Sequence, residues 1–468
     1  MRARTYLLLM EGIVDTNDEV RDLLERAREE SREDPDLHAA VLAQLGENTA
    51  VIRVEQVPAV ESAMAGLLQR VPRPRGESLR KVLFTLAWAR ALRGEPIEEL
   101  CREFERADES AYPTSWSPWR IAGQRLVWRG EIERARSLFG ELLRTADERG
   151  EPYPYALQRL HMCELELRIG RFDAAARLLD AWAETSERVI WPMYERCQAL
   201  LAAERGLVDE ADHWAARAIA GCDRTGMGWD RLEALRARGL AALVDHDAAR
   251  AAVHLRAVWE YTQGQGIDDP GVFPAAPDLV EALVELDEVD EATAVAERLA
   301  ELAVEQKHPW GLATAARCRA LIRISSTYDE GAAARLSGAA AEYGRLGLQF
   351  DEARALLSLG GRLRRLRKWG AGRAVLERSV ASFNLMGAPG WSREAADELA
   401  RLGAKRPGQD GSLTASEERI VRLAAAGLSN KEIAAKLVVS PYTVEKHLSH
   451  AYAKLGLRSR TQLAAALR

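Results

Sequence analysis

Lysine is almost missing from most of this 468-residue chain: only Lys81, Lys307 and Lys368 precede residue 405. The five cysteines (Cys101, Cys163, Cys197, Cys222, Cys318) form no CxxC pair and are odd in number. That argues against a disulfide framework and for reduced thiols, packed as small core residues in a cytoplasmic protein. No apolar run approaches the roughly 18 residues of a membrane span, so no membrane partner is expected. The opening MRARTYLLLMEG has too short an apolar stretch for a signal peptide. There is no GxxxxGK[ST] loop to cradle a phosphate, no GxSxG nucleophile turn and no HExxH zinc helix. His161, His213, His246 and His254 fall at no metal-ligand spacing and read as structural. An enzyme has no residues to stand on here, and no cofactor or metal is expected. Phenylalanine is scarce at 7 residues against 12 tryptophans, which makes the tryptophans core filler rather than a ligand cage.

Charge is unevenly placed. From Lys405 onward eleven basic residues face five acidic ones, a formal +6, which leaves −12 on the rest of a chain whose net charge is −6. A small basic module on a large acidic body implies polyanion binding confined to one end. The length itself exceeds one compact core and calls for several domains or a repeat array.

An array is what the body shows. A helix, a tight turn, then an acid and alanines opening a second helix recur as RGEIERA ending at Ala135, IGRFDAA at Ala175 and RGLVDEA at Ala211. Weaker copies end at Ala251, Ala292, Ala332 and Ala374, and the step is roughly forty residues. An aromatic keeps the same period near the start of each first helix: Trp191, Trp229, Phe273, Trp310, Phe350 and Trp391. Gly130, Gly170 and Gly206 supply the turn, and each aromatic is expected to fill the gap between neighbouring hairpins. No strand-like alternation of useful length interrupts this stretch. VPRPRGES (71–78) and GIDDPGVFPAAPD (266–278) read as longer loops, and residues 1–95 as helical but without a clear phase. The period resembles tetratricopeptide-like repeats. The expected organisation is an all-α solenoid over 1–402, a linker GAKRPGQDGS over 403–412 and a separate module over 413–468.

Four short helices are marked in that module by their caps. Thr414 with Glu417, Ser429 with Glu432 and Ser459 with Gln462 have capping-box spacing, and Ser440 is followed by Pro441 at the first helical position. Helix two (Asn430–Leu437), the turn Val438–Ser440 and helix three (Pro441–Leu455) have helix-turn-helix lengths. Val444, Leu448, Ala451 and Leu455 form one apolar stripe on helix three, so Tyr442, Glu445, Lys446, Ser449 and Ala453 point away from it. Ile420, Val421, Leu423, Ile433, Leu463 and Leu467 are the expected partners of the stripe.

The run from Leu413 to Leu463 closely resembles the LuxR-type DNA-binding domain. LTASE (413–417), GLSNKEIA (427–434), SPYTVEKH (440–447) and KLGLRSR (454–460) carry the likeness. The resemblance implies a four-helix domain that binds double-stranded DNA as a dimer, with helix three in the major groove. It implies dimerisation through the fourth helix, here Thr461, Leu463, Ala464 and Leu467, and RNA polymerase as a further partner. For base reading the expectation is Glu445, Lys446 and Ser449; for phosphates it is Lys431, Tyr442, Thr443, His450, Lys454 and Arg460. His447 is assigned to packing and capping. Glu445 is informative, because an outward carboxylate can accept a hydrogen bond from a cytosine amino group, which predicts a C·G pair in each half-site.

The array resembles the helical-repeat part of large LuxR-family regulators that carry an ATP-binding module. No such module is recognisable here, so ATP-dependent switching is not expected, and the array is left to sense a protein or small-molecule effector. The competing function is a repeat-built interaction scaffold whose helix-turn-helix no longer binds DNA. Such drift should leave the outer face of helix three acidic or apolar, whereas this one keeps Tyr442, Lys446 and Ser449.

Overall fold

The computed structural model describes residues 18–107, 112–151, 154–184, 192–326, 330–403, 413, 415–437, 439–455 and 457. The described residues contain helices and turns and no strand, so the chain is all-α. It divides into two compact units, Met1–Leu399 and Ala400–Arg468.

The first unit begins with α1 (Asp18–Glu30), α2 (Pro35–Glu47), α3 (Val57–Leu68), α4 (Gly76–Leu92) and α5 (Glu98–Arg106). Regular hairpins follow: α6 (Pro118–Arg129) with α7 (Ile132–Arg149), α8 (Pro154–Arg168) with α9 (Phe172–Ala183), and α10 (Met193–Arg205) with α11 (Val208–Thr225). The series continues with α12 (Gly228–Val244) and α13 (Ala248–Gln265), α14 (Ala276–Glu285) and α15 (Val289–Glu305), and α16 (Pro309–Ser326) and α17 (Glu330–Arg345). It closes with α18 (Gln349–Arg365), α19 (Trp369–Met386) and α20 (Pro389–Gly403). Both sequence-predicted loops are present, between α3 and α4 and between α13 and α14. Among the described residues no helix is long and apolar enough to cross a membrane.

The repeat motif has a physical reading. Its glycine ends the first helix in left-handed backbone, as at Gly130, Gly170 and Gly206, and the same position in the weaker copies is taken by His246, Asp287 and Arg367, all with positive φ. Acids then open the second helix, as Glu133, Asp173, Asp209 and Asp290 do, where the helix dipole favours them. The closing alanine is where the two helices meet: Ala135, Ala175, Ala211, Ala251, Ala292 and Ala332 have no exposed surface. The last copy corrects the sequence register. Counting from Arg367, the buried small residue is Gly372, while Ala374 is exposed. Glycine serves there because the site requires only a residue small enough for close helix approach.

The periodic aromatics do more than fill gaps between neighbours. Phe350 does pack on Phe383 and Trp391 of the next helices, at centroid distances of 6.1 and 5.8 Å. It also meets Phe172, far back in the chain, at 5.7 Å. Trp391 donates its indole N–H to the Ala203 carbonyl at 3.1 Å, 188 residues away. Arg129 donates to the carbonyls of Gln306 and Lys307, 177 and 178 residues away. Asp268 and Asp269 donate their backbone N–H groups to the Leu92 carbonyl at 3.0 Å. Each of the long-range contacts joins elements five hairpins apart, so five hairpins complete one superhelical turn and the next turn packs on it. Phe273 departs from the pattern, lying in the loop before α14, where it packs on Trp229 at 4.8 Å. Trp191 lies outside the described residues.

The glycines of one turn receive the helix ends of the next. A β-carbon on Gly206 would lie 2.8 Å from both the Gly390 Cα and the Trp391 nitrogen, and one on Gly170 would lie 2.4 Å from the Met386 sulfur. Gly150 has similar backbone (φ +63°) but nothing within 4 Å. Gly150→Ala should therefore cost about 1 kcal/mol, the left-handed penalty alone. Gly206→Ala should cost about 2 kcal/mol more, because two backbones must part. Denaturant midpoints of the two variants check this, and equal losses would contradict the turn-on-turn seat.

Candidate nucleic-acid interface

The second unit contains α21 (Ala415–Ala425), α22 (Asn430–Leu437) and α23 (Pro441–Leu455). Gly427 (φ +93°) ends α21, and the Leu428 N–H returns to the Leu423 carbonyl at 3.2 Å. At the start of α22 the Ser429 N–H and hydroxyl both donate to Glu432 Oε2 at 2.7 Å, and the Glu432 N–H reaches Ser429 Oγ at 3.4 Å. That is the reciprocal box read from the sequence. At the start of α23 the Thr443 N–H donates to Ser440 Oγ at 3.1 Å, and the two hydroxyls lie 2.8 Å apart. Thr414 and the segment from Arg458 to Arg468 lie outside the described residues, so two of the four caps and the fourth helix do too.

The apolar stripe of α23 is buried as expected. Val444 and Ala451 have no exposed surface and Leu448 has 4%. They pack with Ile420, Val421 and Ala424 of α21 and with Ile433 and Ala434 of α22, while Leu423 and Leu455 are partly buried against this core. Every fully buried position on α23 is apolar and small or branched, which fixes its rotation about its axis. The opposite face is therefore set: Tyr442 (75% exposed), Glu445, Lys446, Ser449, His450 and Ala453 all reach solvent.

Five of the nine expected contact residues lie together on one exposed helix face. Glu445, Lys446 and Ser449 share the exposed face of α23 with Tyr442 and His450. Lys431 is exposed in the first turn of α22. Thr443 is half-buried and its hydroxyl is engaged by Ser440, and His447 is half-buried beside the core stripe. The backbone of Lys454 belongs to α23. Its side chain, and Arg460, Thr461, Leu463, Ala464 and Leu467, lie outside the described residues. Lys436, exposed in the last turn of α22, is a cation the helix-three pattern passes over; its place beside the turn is the signal. Among the described residues no group of three histidine, cysteine or carboxylate side chains is placed to hold a metal, and all five cysteines are buried free thiols.

Comparison with known proteins places this module. Residues 411–467 match the family described as bacterial regulatory proteins, luxR family. Over 60 residues the chain is 62% identical to putative HTH-type transcriptional regulators of Mycobacterium tuberculosis and Mycobacterium bovis, a stretch that covers 13% of this chain and 7% of each relative. It is 51% identical over 51 residues to the oxygen regulatory protein NreC of Staphylococcus aureus, covering 11% of this chain and 24% of that one. The array is similar to a solved Rap protein complexed with competence and sporulation factor. The TM-score is 0.52 at 12% identity, covering 78% of this chain and 100% of that one, a likeness of tetratricopeptide-like fold.

The capping box has a measurable worth. Ser429→Ala should destabilise α22 by about 1 kcal/mol, seen as roughly fivefold faster hydrogen exchange at its amides while amides of α12 are unchanged.

Proposed function

From a LuxR-family regulatory domain at residues 411–467 and a helical-repeat array ahead of it, we propose that this protein is a cytoplasmic, DNA-binding transcription regulator. The observation that carries the reading is the fixed rotation of α23: with Val444, Leu448 and Ala451 buried, Tyr442, Glu445, Lys446 and Ser449 are presented together. An α-helix of 15 residues behind a three-residue turn fits the major groove. Glu445, Lys446 and Ser449 read base edges. Lys431, Tyr442, Thr443, His450, Lys454 and Arg460 hold phosphates and so set the docking register. Thr443, whose N–H is used by the Ser440 cap, offers a phosphate only the hydroxyl it shares with Ser440.

The formal +6 of the C-terminal segment supports only modest affinity for one module, so operator binding uses two copies side by side, joined through Thr461, Leu463, Ala464 and Leu467. RNA polymerase is the downstream partner. The array, outside the segment shared with the mycobacterial regulators, receives the signal. Its solved structural neighbour was captured with a bound factor, which supports a protein or small-molecule effector for this array as well. No enzymatic step is part of this function.

Salt titration of binding to mixed-sequence duplex separates the two kinds of contact. Lys431→Ala should weaken all sequences alike and reduce the log–log salt slope by about 1. Glu445→Ala should leave that slope unchanged or steeper and bind mixed-sequence DNA more tightly, since a carboxylate near phosphates is removed. No measurable binding by the wild-type chain at low salt would favour the scaffold reading instead.

A further inference from the structure

The stretch GRLRRLRKWGAGR, from Gly361 to Arg373, holds six cations and no acid, inside a body that carries a formal −12 up to residue 404. It comprises the end of α18, the turn Leu366–Lys368 and the start of α19. Much of it faces water. Arg367 and Lys368 are exposed, the Arg365 and Arg373 side chains each keep 52% of their surface, and Trp369 keeps 50%. A charge run is ordinarily a solvated face, so its meaning depends on how the neighbouring groups answer it.

The inner cations are structural. Arg362 donates to Glu285 at 2.5 Å and Arg364 to Glu398 at 2.6 Å, and both side chains are largely covered. The outer pairs are longer: Arg365 with Glu285 and Lys368 with Glu330 at 3.4 Å, and Arg373 with Glu377 at 3.7 Å. Exposed pairs of this kind are worth about 0–1 kcal/mol, so a phosphate can replace the carboxylate at little loss. Among the described residues nothing pairs with the Arg367 side chain. Arg367 also holds left-handed backbone, φ +61°, which costs a non-glycine residue about 1–2 kcal/mol. Gly130, Gly170 and Gly206 take that position where a later turn packs on it, whereas here an exposed arginine takes it.

The place of this turn in the array points to its partner. The helices α18 and α20 run in the same direction: Phe350 and Trp391 meet at their starts, at 5.8 Å, and Arg364 and Glu398 meet near their ends. The basic turn and the point where the chain leaves α20 for the second unit therefore share one end of the array. The neighbouring turn there, Glu285–Glu288, is acidic, but Glu285 is taken by Arg362 and Arg365, and Glu288 by Arg256 at 2.9 Å. Residues 404–412 span at most about 30 Å, so a chain held on duplex DNA by its second unit keeps this turn within reach of the same duplex. We propose that the turn from Arg365 to Trp369 is a second duplex-DNA contact, which grips the phosphates flanking an operator without reading their sequence. Arg365, Arg367 and Lys368 supply the charge, and Trp369 can donate its indole N–H to a phosphate oxygen. This inference rests on the DNA-binding reading of the second unit and adds the array to that contact.

Salt titration of the full chain on a long mixed-sequence DNA duplex tests it. Arg365→Gln, Arg367→Gln and Lys368→Gln together should lower the log–log salt slope by about 2–3 and weaken binding roughly tenfold. Arg26→Gln, Arg102→Gln and Arg177→Gln together remove the same charge from exposed positions without ion pairs elsewhere on the array, and should change neither. Backbone amides from Arg367 to Gly370 should exchange more slowly in the wild-type chain when DNA is bound. Unfolding midpoints show that both triple variants are folded. Equal effects of the two triples, an unchanged slope in the first, or a loss confined to RNA duplexes would overturn the inference. Lys431→Ala in the same titration separates it from the reading it rests on. A slope lowered by Lys431→Ala alone upholds the second unit and removes the turn. A slope lowered by the turn variant alone makes the array the DNA contact and removes the role of the second unit.

Discussion

One contact recurs through the first unit and the rest of it depends on that contact: a glycine that ends a helix in one superhelical turn lies against the aromatic-bearing start of a helix in the next, or the turn just before it. Gly130 lies against Leu348 and the Trp310 Cβ, Gly206 against the backbone of Gly390 and Trp391, and Gly170, beside Phe172, against Met386 and the Phe350 nitrogen. The glycine is needed twice over, for its left-handed backbone and for the space its missing β-carbon leaves. The aromatics are nearly completely buried there, with Trp310 at 0% and Trp391 at 3% exposure. A solenoid is usually held together by nearest neighbours alone. Here contacts 177 to 188 residues apart bind successive turns, so the array gains long-range cooperativity that a nearest-neighbour stack lacks.

Charge lines the inner helices where that winding leaves polar groups with little water. Arg354 of α18 reaches Asp278 and, at 2.6 Å, Glu281 of α14, and lies 4.8 Å from the centre of the Trp391 ring. Arg317 of α16 meets Glu281 at 2.6 Å. Buried pairs of this kind add little net stability, but stranding one member costs about 3–5 kcal/mol. A slipped stack would strand several. The apolar seats hold the turns together, and these pairs punish the wrong register. The scarcity of lysine fits, since arginine's planar fork can serve two carboxylates at once, as Arg354 does.

The sequence made the helical hairpins legible because each copy repeats the same local needs: a left-handed residue, an acid at a helix start, a small residue at a crossing. It made the cap at Ser429 and the stripe on α23 legible for the same reason, since both are set by spacing within one helix. What it could not display was the partner of each periodic mark. Gly206 and Trp391 looked like two independent signals of one period, and only the five-hairpin winding makes them one contact. The register of the last copy was misread because its left-handed position is Arg367 and its small residue is Gly372, so neither usual letter is present.

The two units divide the work by chemistry. The acidic, closely wound array buries arginine–carboxylate pairs between its helices, while the basic module fixes α23 so that one of its faces is exposed. Glu445 is the sharpest point of this account, because a carboxylate on that face has no use in non-specific phosphate binding. Selection of bound duplexes from a random library by the full chain is the direct test. The account predicts enrichment of paired half-sites, each with a C·G pair whose preference disappears in Glu445→Ala. A selected pool indistinguishable from the input, or one whose C·G preference survives that substitution, would contradict it.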